Sequence, residues 1–186
     1  MRDELGRILL DLARHAIAGQ LGEAEAPVIA TEAAELERPG ACFVTLTLGG
    51  QLRGCIGSLA AWRSLREDVR ANACAAAFRD PRFAPLSGEE FAQLRIEVSL
   101  LTQPQPLSFS DEADALAQLR PGIDGVVLEH GKHRSTFLPQ VWAELPDPGQ
   151  FLGQLKIKAG LPRGFWSEEL KLSRYQVEKW KEENPS

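Results

Sequence analysis

Ala41-Cys42-Phe43-Val44-Thr45-Leu46-Thr47-Leu48, followed by Gly49-Gly50 and then Gln51-Leu52-Arg53-Gly54-Cys55-Ile56-Gly57, is the stretch that decides the fold. Two alternating apolar arms around a glycine pair predict a β-hairpin. Loop length sets which side chains meet. A two-residue loop in a regular ladder places Val44 and Leu46 across from Cys55 and Arg53, which mixes a charge into an apolar face. A three-residue loop, Gly49-Gly50-Gln51 with a glycine bulge, instead pairs Leu46 and Val44 with Gly54 and Ile56, and Thr47 and Thr45 with Arg53 and Cys55. The second register keeps each face consistent and is the expected one.

Working outward, Leu5, Ile8, Leu9, Leu12 and Ile17 recur at helical spacing and predict an opening amphipathic helix from Arg2 to Ala18, ended by Gly19. Residues 22–39, rich in Ala and Glu with few large apolar side chains, read as an exposed connection with room for helix. Ser64-Leu65-Arg66-Glu67 has capping-box spacing and starts a helix from Leu65 to Arg79, whose alanines let it lie close to a sheet. Asp80-Pro81 stops it. A second box, Ser87-Gly88-Glu89-Glu90, precedes the strand Arg95 to Leu101. Beyond Pro104 and Pro106, a helix from Asp111 to Leu119, a hairpin from Gly125 to Leu138 around His130-Gly131-Lys132-His133, and a helix from Pro148 to Ala159 are expected. Glu169 to Val177 reads as a last strand and Lys179 to Ser186 as a solvated tail. Interspersed helices and hairpins indicate an α+β fold with a mixed or antiparallel sheet and flanking helices.

At 186 residues, 44% hydrophobic and 25% charged, the chain is expected to form one domain with its own core. A net charge of -5 provides no diffuse attraction to phosphate backbones, and no basic run stands out, so nucleic-acid binding is not expected. The acids in Met1-Arg2-Asp3-Glu4 oppose a secretory signal, and no apolar run reaches membrane-spanning length. A cytoplasmic location without membrane association is therefore expected. Cys42, Cys55 and Cys74 are odd in number and widely spaced, which favours reduced thiols over a disulfide framework or a zinc site. His15, His130 and His133 lack a matching ligand spacing, so no metal is expected, and no other cofactor. The four tryptophans are too dispersed for a base-stacking ladder and are assigned mostly to packing.

The set Leu52-Arg53-Gly54-Cys55-Ile56-Gly57, Asn72 to Ala77, Asp80-Pro81-Arg82-Phe83, Gly125, Phe137-Leu138-Pro139-Gln140-Val141 and Lys158-Ala159-Gly160-Leu161 resembles the AMMECR family, whose prokaryotic members are called AmmeMemoRadiSam system protein A. The resemblance spans roughly Gly40 to Tyr175. It implies a single domain of that type over residues 1–186, with a larger and a smaller subdomain and a cleft near the Arg-Gly-Cys-Ile-Gly segment. It also implies Memo-type and radical SAM proteins as companions in a modification or redox pathway, though no settled reaction. Ser58-Leu59 stands where many relatives have a threonine and an aromatic, which bears on pocket shape.

Strand alternation puts Arg53 and Cys55 on one face, while Gly54 and Gly57 remove side chains that would block a ligand or a second backbone. A guanidinium beside a thiol favours thiolate, so Cys55 is the candidate nucleophile or redox thiol and Arg53 the candidate anion binder. The plainer alternative makes Cys55 a small buried hydrophobe and pairs Arg53 with a carboxylate such as Glu97. Asn72, on the edge of its helix's buried face, and Asp80 and Arg82 just beyond that helix complete the candidate binding set, with bracing of the turn as the alternative for the last two. Lys158 fits anion binding or the helix macrodipole equally. The leading function is an accessory enzyme or substrate-binding subunit with its ligand, a small molecule, between the cysteine hairpin and the Asn72 helix. A noncatalytic adaptor for a partner protein is the alternative, and a nucleotide- or RNA-binding module the weaker one.

Overall fold

The computed structural model describes residues 2–23 and 32–183, which form two compact units. Of the described residues, those up to Leu101 and those from Glu178 onward make up the larger, and Thr102–Val177 the smaller. The fold is α+β, with two four-stranded sheets built on antiparallel pairs. Among the described residues no helix is long and apolar enough to cross a membrane.

The larger unit opens with α1 (Arg2–Leu21), which buries Leu5, Leu9, Leu12 and Ile17 as the periodicity requires. A short α2 (Ala34–Glu37) follows, then β1 (Ala41–Leu48), β2 (Gln51–Gly57), α3 (Leu65–Phe78), α4 (Gly88–Gln93) and β3 (Arg95–Leu101). Both expected capping boxes form, at Ser64 with Glu67 and at Ser87 with Glu90. Cys42, Val44 and Leu46 of β1 and Ile96 and Val98 of β3 turn to one side of the sheet and join Val69, Ala73 and Ala76 of α3 in a single core. Leu36 of α2 is fully buried in that core, so residues 22–39 are not simply an exposed connection; residues 24–31 lie outside the described set.

The smaller unit comprises β4 (Gln105–Pro106), α5 (Glu112–Gln118), β5 (Gly125–His130), β6 (His133–Phe137), a 3-10 turn at Pro139–Ala143, α6 (Pro148–Lys158) and β7 (Lys171–Tyr175), in sheet order β4-β7-β5-β6. Trp142 stacks on Phe151 at 3.7 Å between ring centroids and donates its indole N–H to the Asp124 carbonyl. Phe151, Leu152 and Leu155 of α6 complete this second core.

The chain end departs from expectation. Instead of one strand and a solvated tail, β7 stops at Tyr175 and β8 (Val177–Lys181) joins the larger unit's sheet beside β3, giving the order β2-β1-β3-β8. Trp180 covers Gly6 so closely that a Cβ there would lie 2.2 Å from the indole. Glu182 accepts from Arg14 Nε at 2.6 Å and from the Ile96 backbone N–H at 3.0 Å. A polar, lysine- and glutamate-rich sequence reads as tail, yet one aromatic and one carboxylate suffice to hold it once long-range partners exist. Residues 184–186 of that expected tail lie outside the described set.

Candidate functional site

The β1–β2 hairpin places the signature residues, and its register combines the two readings of its loop. Gly49 and Gly50 have φ values of 55° and 79°, the left-handed conformations required by a tight two-residue turn, and Leu48 pairs with Gln51. The pairs Val44–Ile56, Thr45–Cys55 and Leu46–Gly54 form as expected. The expected Thr47–Arg53 pair does not: Thr47 faces Leu52, and Arg53 is the extra residue of a bulge within β2. Both glycines accept positive φ without cost, so the turn closes on two residues and the excess residue moves into the strand.

That bulge re-aims Arg53. Its guanidinium grips Glu90 in a fork, with Nε donating to Oε2 at 2.7 Å and Nη2 to Oε1 at 3.2 Å, and Nη2 also donates to the Ala84 carbonyl at 2.7 Å. Its partner is therefore Glu90, not Glu97. The hydrogen bonds from Arg53 pull the Glu90 carboxyl down to about 2. The Arg53 side chain is only 11% exposed, and its Nη1 is buried with no hydrogen-bond acceptor among the described residues.

Cys55 lies on the outer strand of the sheet, where its backbone faces away from β1. Asp80 supplies the missing ladder partner: its Oδ2 accepts the Cys55 N–H at 3.0 Å, and Arg82 donates from Nη2 to the Cys55 carbonyl at 3.4 Å. Arg82 is bound to both Asp80 oxygens, at 3.0 and 2.7 Å, and these bonds together with the one from Cys55 hold the Asp80 carboxyl well below the usual carboxylate range. With its N–H and C=O turned outward, Cys55 forms a non-hydrogen-bonded pair with Thr45, the kind that brings side chains closest. The Cys55 Sγ and Thr45 Oγ1 are 3.3 Å apart. The thiol is half-buried, and Arg53 and Arg82 both lie over the Phe83 ring, at 5.7 and 5.4 Å from its centroid.

The two signature glycines are occupied by the protein itself. A Cβ on Gly54 would lie 2.1 Å from the Ala76 carbonyl oxygen of α3, and one on Gly57 would lie 2.2 Å from the Phe43 ring. The space expected for a ligand between the hairpin and the Asn72 helix is thus closed at Gly54 by α3, because an alanine-rich helix meets a strand glycine backbone to backbone. The Cys55 side chain projects from the opposite face of the sheet.

Asn72 belongs to a different cluster. It donates to the Cys42 carbonyl at 3.0 Å, to Ser58 Oγ at 3.1 Å and to Asp68 Oδ2 at 3.0 Å. Asp68, fully buried, also accepts from the Cys42 N–H, Ser58 Oγ and Arg63 Nε at 2.9, 2.6 and 2.8 Å. Burial and the neighbouring Asp68 charge push the Cys42 thiol far up, so it stays protonated. Arg53, Cys55, Asp80 and Arg82 are brought together; Asn72 is not among them.

The histidines are engaged elsewhere. His133 Nδ1 bonds the Ala159 carbonyl at 2.9 Å, and His130 packs edge-on against Phe165. Lys158 donates to the Thr136 carbonyl, and among the described residues no cluster of His, Cys, Asp and Glu could hold a metal ion.

The AMMECR1 family model matches residues 10–180, a range running through both units and every residue of this cluster. The chain belongs to the AMMECR1 family. A protein of Methanothermobacter thermautotrophicus is 38% identical over 181 residues, covering 95% of this chain and 93% of its own length. One from Saccharolobus solfataricus is 34% identical, covering all of this chain and 85% of itself. The crystal structure of an uncharacterised protein from Pyrococcus horikoshii has a TM-score of 0.76 at 35% identity, covering 98% of this chain and 93% of that one.

Two residues around the AMMECR1 signature segment, Glu90 and Asp68, escaped sequence reasoning as parts of its surroundings. Glu90 was legible only as the third residue of a capping box, and its side chain serves both the Ser87 N–H, at 3.1 Å, and Arg53. Asp68 carried a signal, a carboxylate four residues before Asn72 on an otherwise apolar helix face. Glu97, the carboxylate expected to partner Arg53, instead sits across β1 from Cys55, since both pair with Thr45, and its side chain makes no hydrogen bond or ion pair among the described residues.

Proposed function

We propose that this AMMECR1-family protein is an accessory enzyme or substrate-binding subunit that recognises a small anionic molecule at the Cys55 face of its larger unit. Family membership supports a place beside Memo-type and radical SAM proteins in a modification or redox pathway. The geometry supports the chemistry. Cys55 is a half-buried thiol whose sulfur lies 3.3 Å from the Thr45 hydroxyl and whose backbone carbonyl accepts from Arg82, a polar setting with partial access to the sulfur. Asp80 and Glu90 hold the two arginines in place and neutralise most of their charge, so recognition rests on directed N–H groups.

The observation that carries this reading is the Arg53 Nη1, a buried donor without an acceptor among the described residues, two positions along the chain from Cys55. Leaving such a donor unpaired costs about 1–3 kcal/mol, and a ligand carboxylate or phosphate oxygen would recover that. In this role Arg53 orients the anion and Cys55 presents its thiol beside it.

The test is twofold. Native protein and an Arg53→Ala variant are purified from their own host lysate, and retained small molecules are identified by mass spectrometry. In parallel, iodoacetamide modification of Cys55 is followed against Cys42 and Cys74. The reading requires an anionic species retained by the native protein and lost in the variant, and Cys55 labelling faster than either other cysteine. Identical retention in both proteins, or a Cys55 slower than Cys74, refutes it.

A further inference from the structure

On the helical side of the larger unit, away from the thiol, α1, α3 and the loop before α3 enclose a groove of ≈ 560 Å³. That is the size of a small-molecule site. Its floor is Ala16 of α1 with Ala71 and Cys74 of α3, and the Cys74 thiol donates to the Ala16 carbonyl at 3.4 Å across the helix pair. Burial raises the Cys74 pKa, so the floor is uncharged and apolar. One wall is Trp62. It is 71% exposed, unlike the tryptophans that fill cores, and the Arg63 guanidinium lies 4.6 Å from its ring centroid.

The hydrogen-bonding capacity left open in the groove is that of guanidinium donors. Glu67, its one acid, already accepts the Ser64 backbone N–H and hydroxyl through the same oxygen, in the capping box. Arg63 turns Nε and Nη2 inward to Asp68 and Asn72, and among the described residues no hydrogen bond uses its Nη1. Arg70 is exposed and has no hydrogen-bond or ion-pair partner among the described residues. A large indole surface therefore stands beside two guanidinium groups with free donors. An indole with a stacked arginine selects a flat π-system, and the free donors select an acidic group on it.

We propose that this groove is a second binding site, separate from the Cys55 face, for a small planar aromatic molecule that carries a carboxylate or phosphate. The ring stacks on Trp62 over the Ala16–Ala71 floor, and Arg70 with Arg63 Nη1 takes the anion. Such a ligand comes from two sources, a nucleoside monophosphate or an aromatic carboxylate, and the test separates them.

Calorimetric titration of the full chain with AMP and with 4-hydroxyphenylacetate is compared with adenosine, a ring without the anion, and ribose 5-phosphate, an anion without the ring. At least one of the two aromatic anions binds saturably, its identity naming the source, and each control binds about tenfold more weakly or worse. Trp62→Ala and Arg70→Ala, both surface changes, each weaken that binding about tenfold with an unchanged circular dichroism spectrum. Cys55→Ala leaves it unaltered. The proposal is overturned if neither aromatic anion saturates below about 10 mM, if a control binds equally well, if either surface variant is without effect, or if Cys55→Ala abolishes binding.

Discussion

Asp80 replaces a neighbouring strand for Cys55: its carboxylate accepts the outward N–H of that residue at 3.0 Å, on the free edge of the sheet. Edge strands present unpaired backbone groups that proteins must cover, and here a carboxylate and its bound arginine cover one residue at the most distinctive position of the chain. The same two bonds keep Cys55 in the close pair that sets its sulfur beside Thr45.

Replacing Asp80 by alanine removes that cover. Amide exchange at Cys55 should accelerate at least about tenfold while the β1–β3 ladder keeps its protection, since edge opening is local. Hydrogen exchange resolved at Cys55 checks this. Unchanged protection would mean that the Asp80 bond does not restrain the edge.

Gly54→Ala should be among the most destabilising single changes in the hairpin. Its Cβ would meet the Ala76 carbonyl of α3 at 2.1 Å, and backbone on both sides cannot turn away, so a loss of about 3 kcal/mol or more is expected. Gly49→Ala meets nothing within 4 Å and incurs only its positive φ, about 1 kcal/mol. Urea denaturation of the two variants gives the ranking directly.

Asp68→Ala leaves the Cys42 N–H, Ser58, Arg63 and Asn72 without their shared acceptor in a buried place. A loss of about 3–5 kcal/mol follows. Asn72→Ala removes one member and should cost about 1–3 kcal/mol. If Asn72 only braces α3 against β1, that variant keeps the native rate of Cys55 alkylation in the folded protein. A changed rate at unchanged fold would instead tie Asn72 to the thiol.

Stability should fall on both sides of neutrality. Glu90 titrates near 4.5 when free and about 2 in the fold, and Asp80 is likewise depressed from 3.8. Each binds more protons unfolded than folded in that interval, so their stabilisation is complete above about 4.5 and is lost as pH drops toward about 2. Cys42 behaves oppositely. Its thiol ionises near 9.0 when unfolded but stays protonated in the fold, so stability declines as pH rises beyond about 9. Denaturation midpoints across pH should show both limbs, with the alkaline limb flattened in Cys42→Ala and the acid limb flattened in Glu90→Gln.

Local pattern carried most of the architecture. The period of Leu5 to Ile17, the two capping boxes, the alanine run of α3 and the alternation of β1 and β3 are short-range consequences of side-chain direction and backbone satisfaction, so they are legible along the chain. The pairs nearest Cys55 were legible as well, because one face of β1 must enter the core. Arg53 was not. Whether a hairpin places its extra residue in the turn or in the strand depends on what stabilises the bulge, and Glu90 lies 37 residues away.

Composition and periodicity by themselves determined an α+β chain with a hairpin of known facing, a close-packed helix behind it and a thiol and an arginine at its heart. Only tertiary structure decided that Glu90 and Asp80 hold the arginines, that Asn72 serves a separate buried carboxylate, that both signature glycines admit the protein's own atoms, and that the last strand returns to the first sheet. Periodicity reports which way a side chain points relative to its neighbours. The partner of a charge is set by whichever distant segment the packed core brings within 3 Å, and no spacing along the chain encodes that distance.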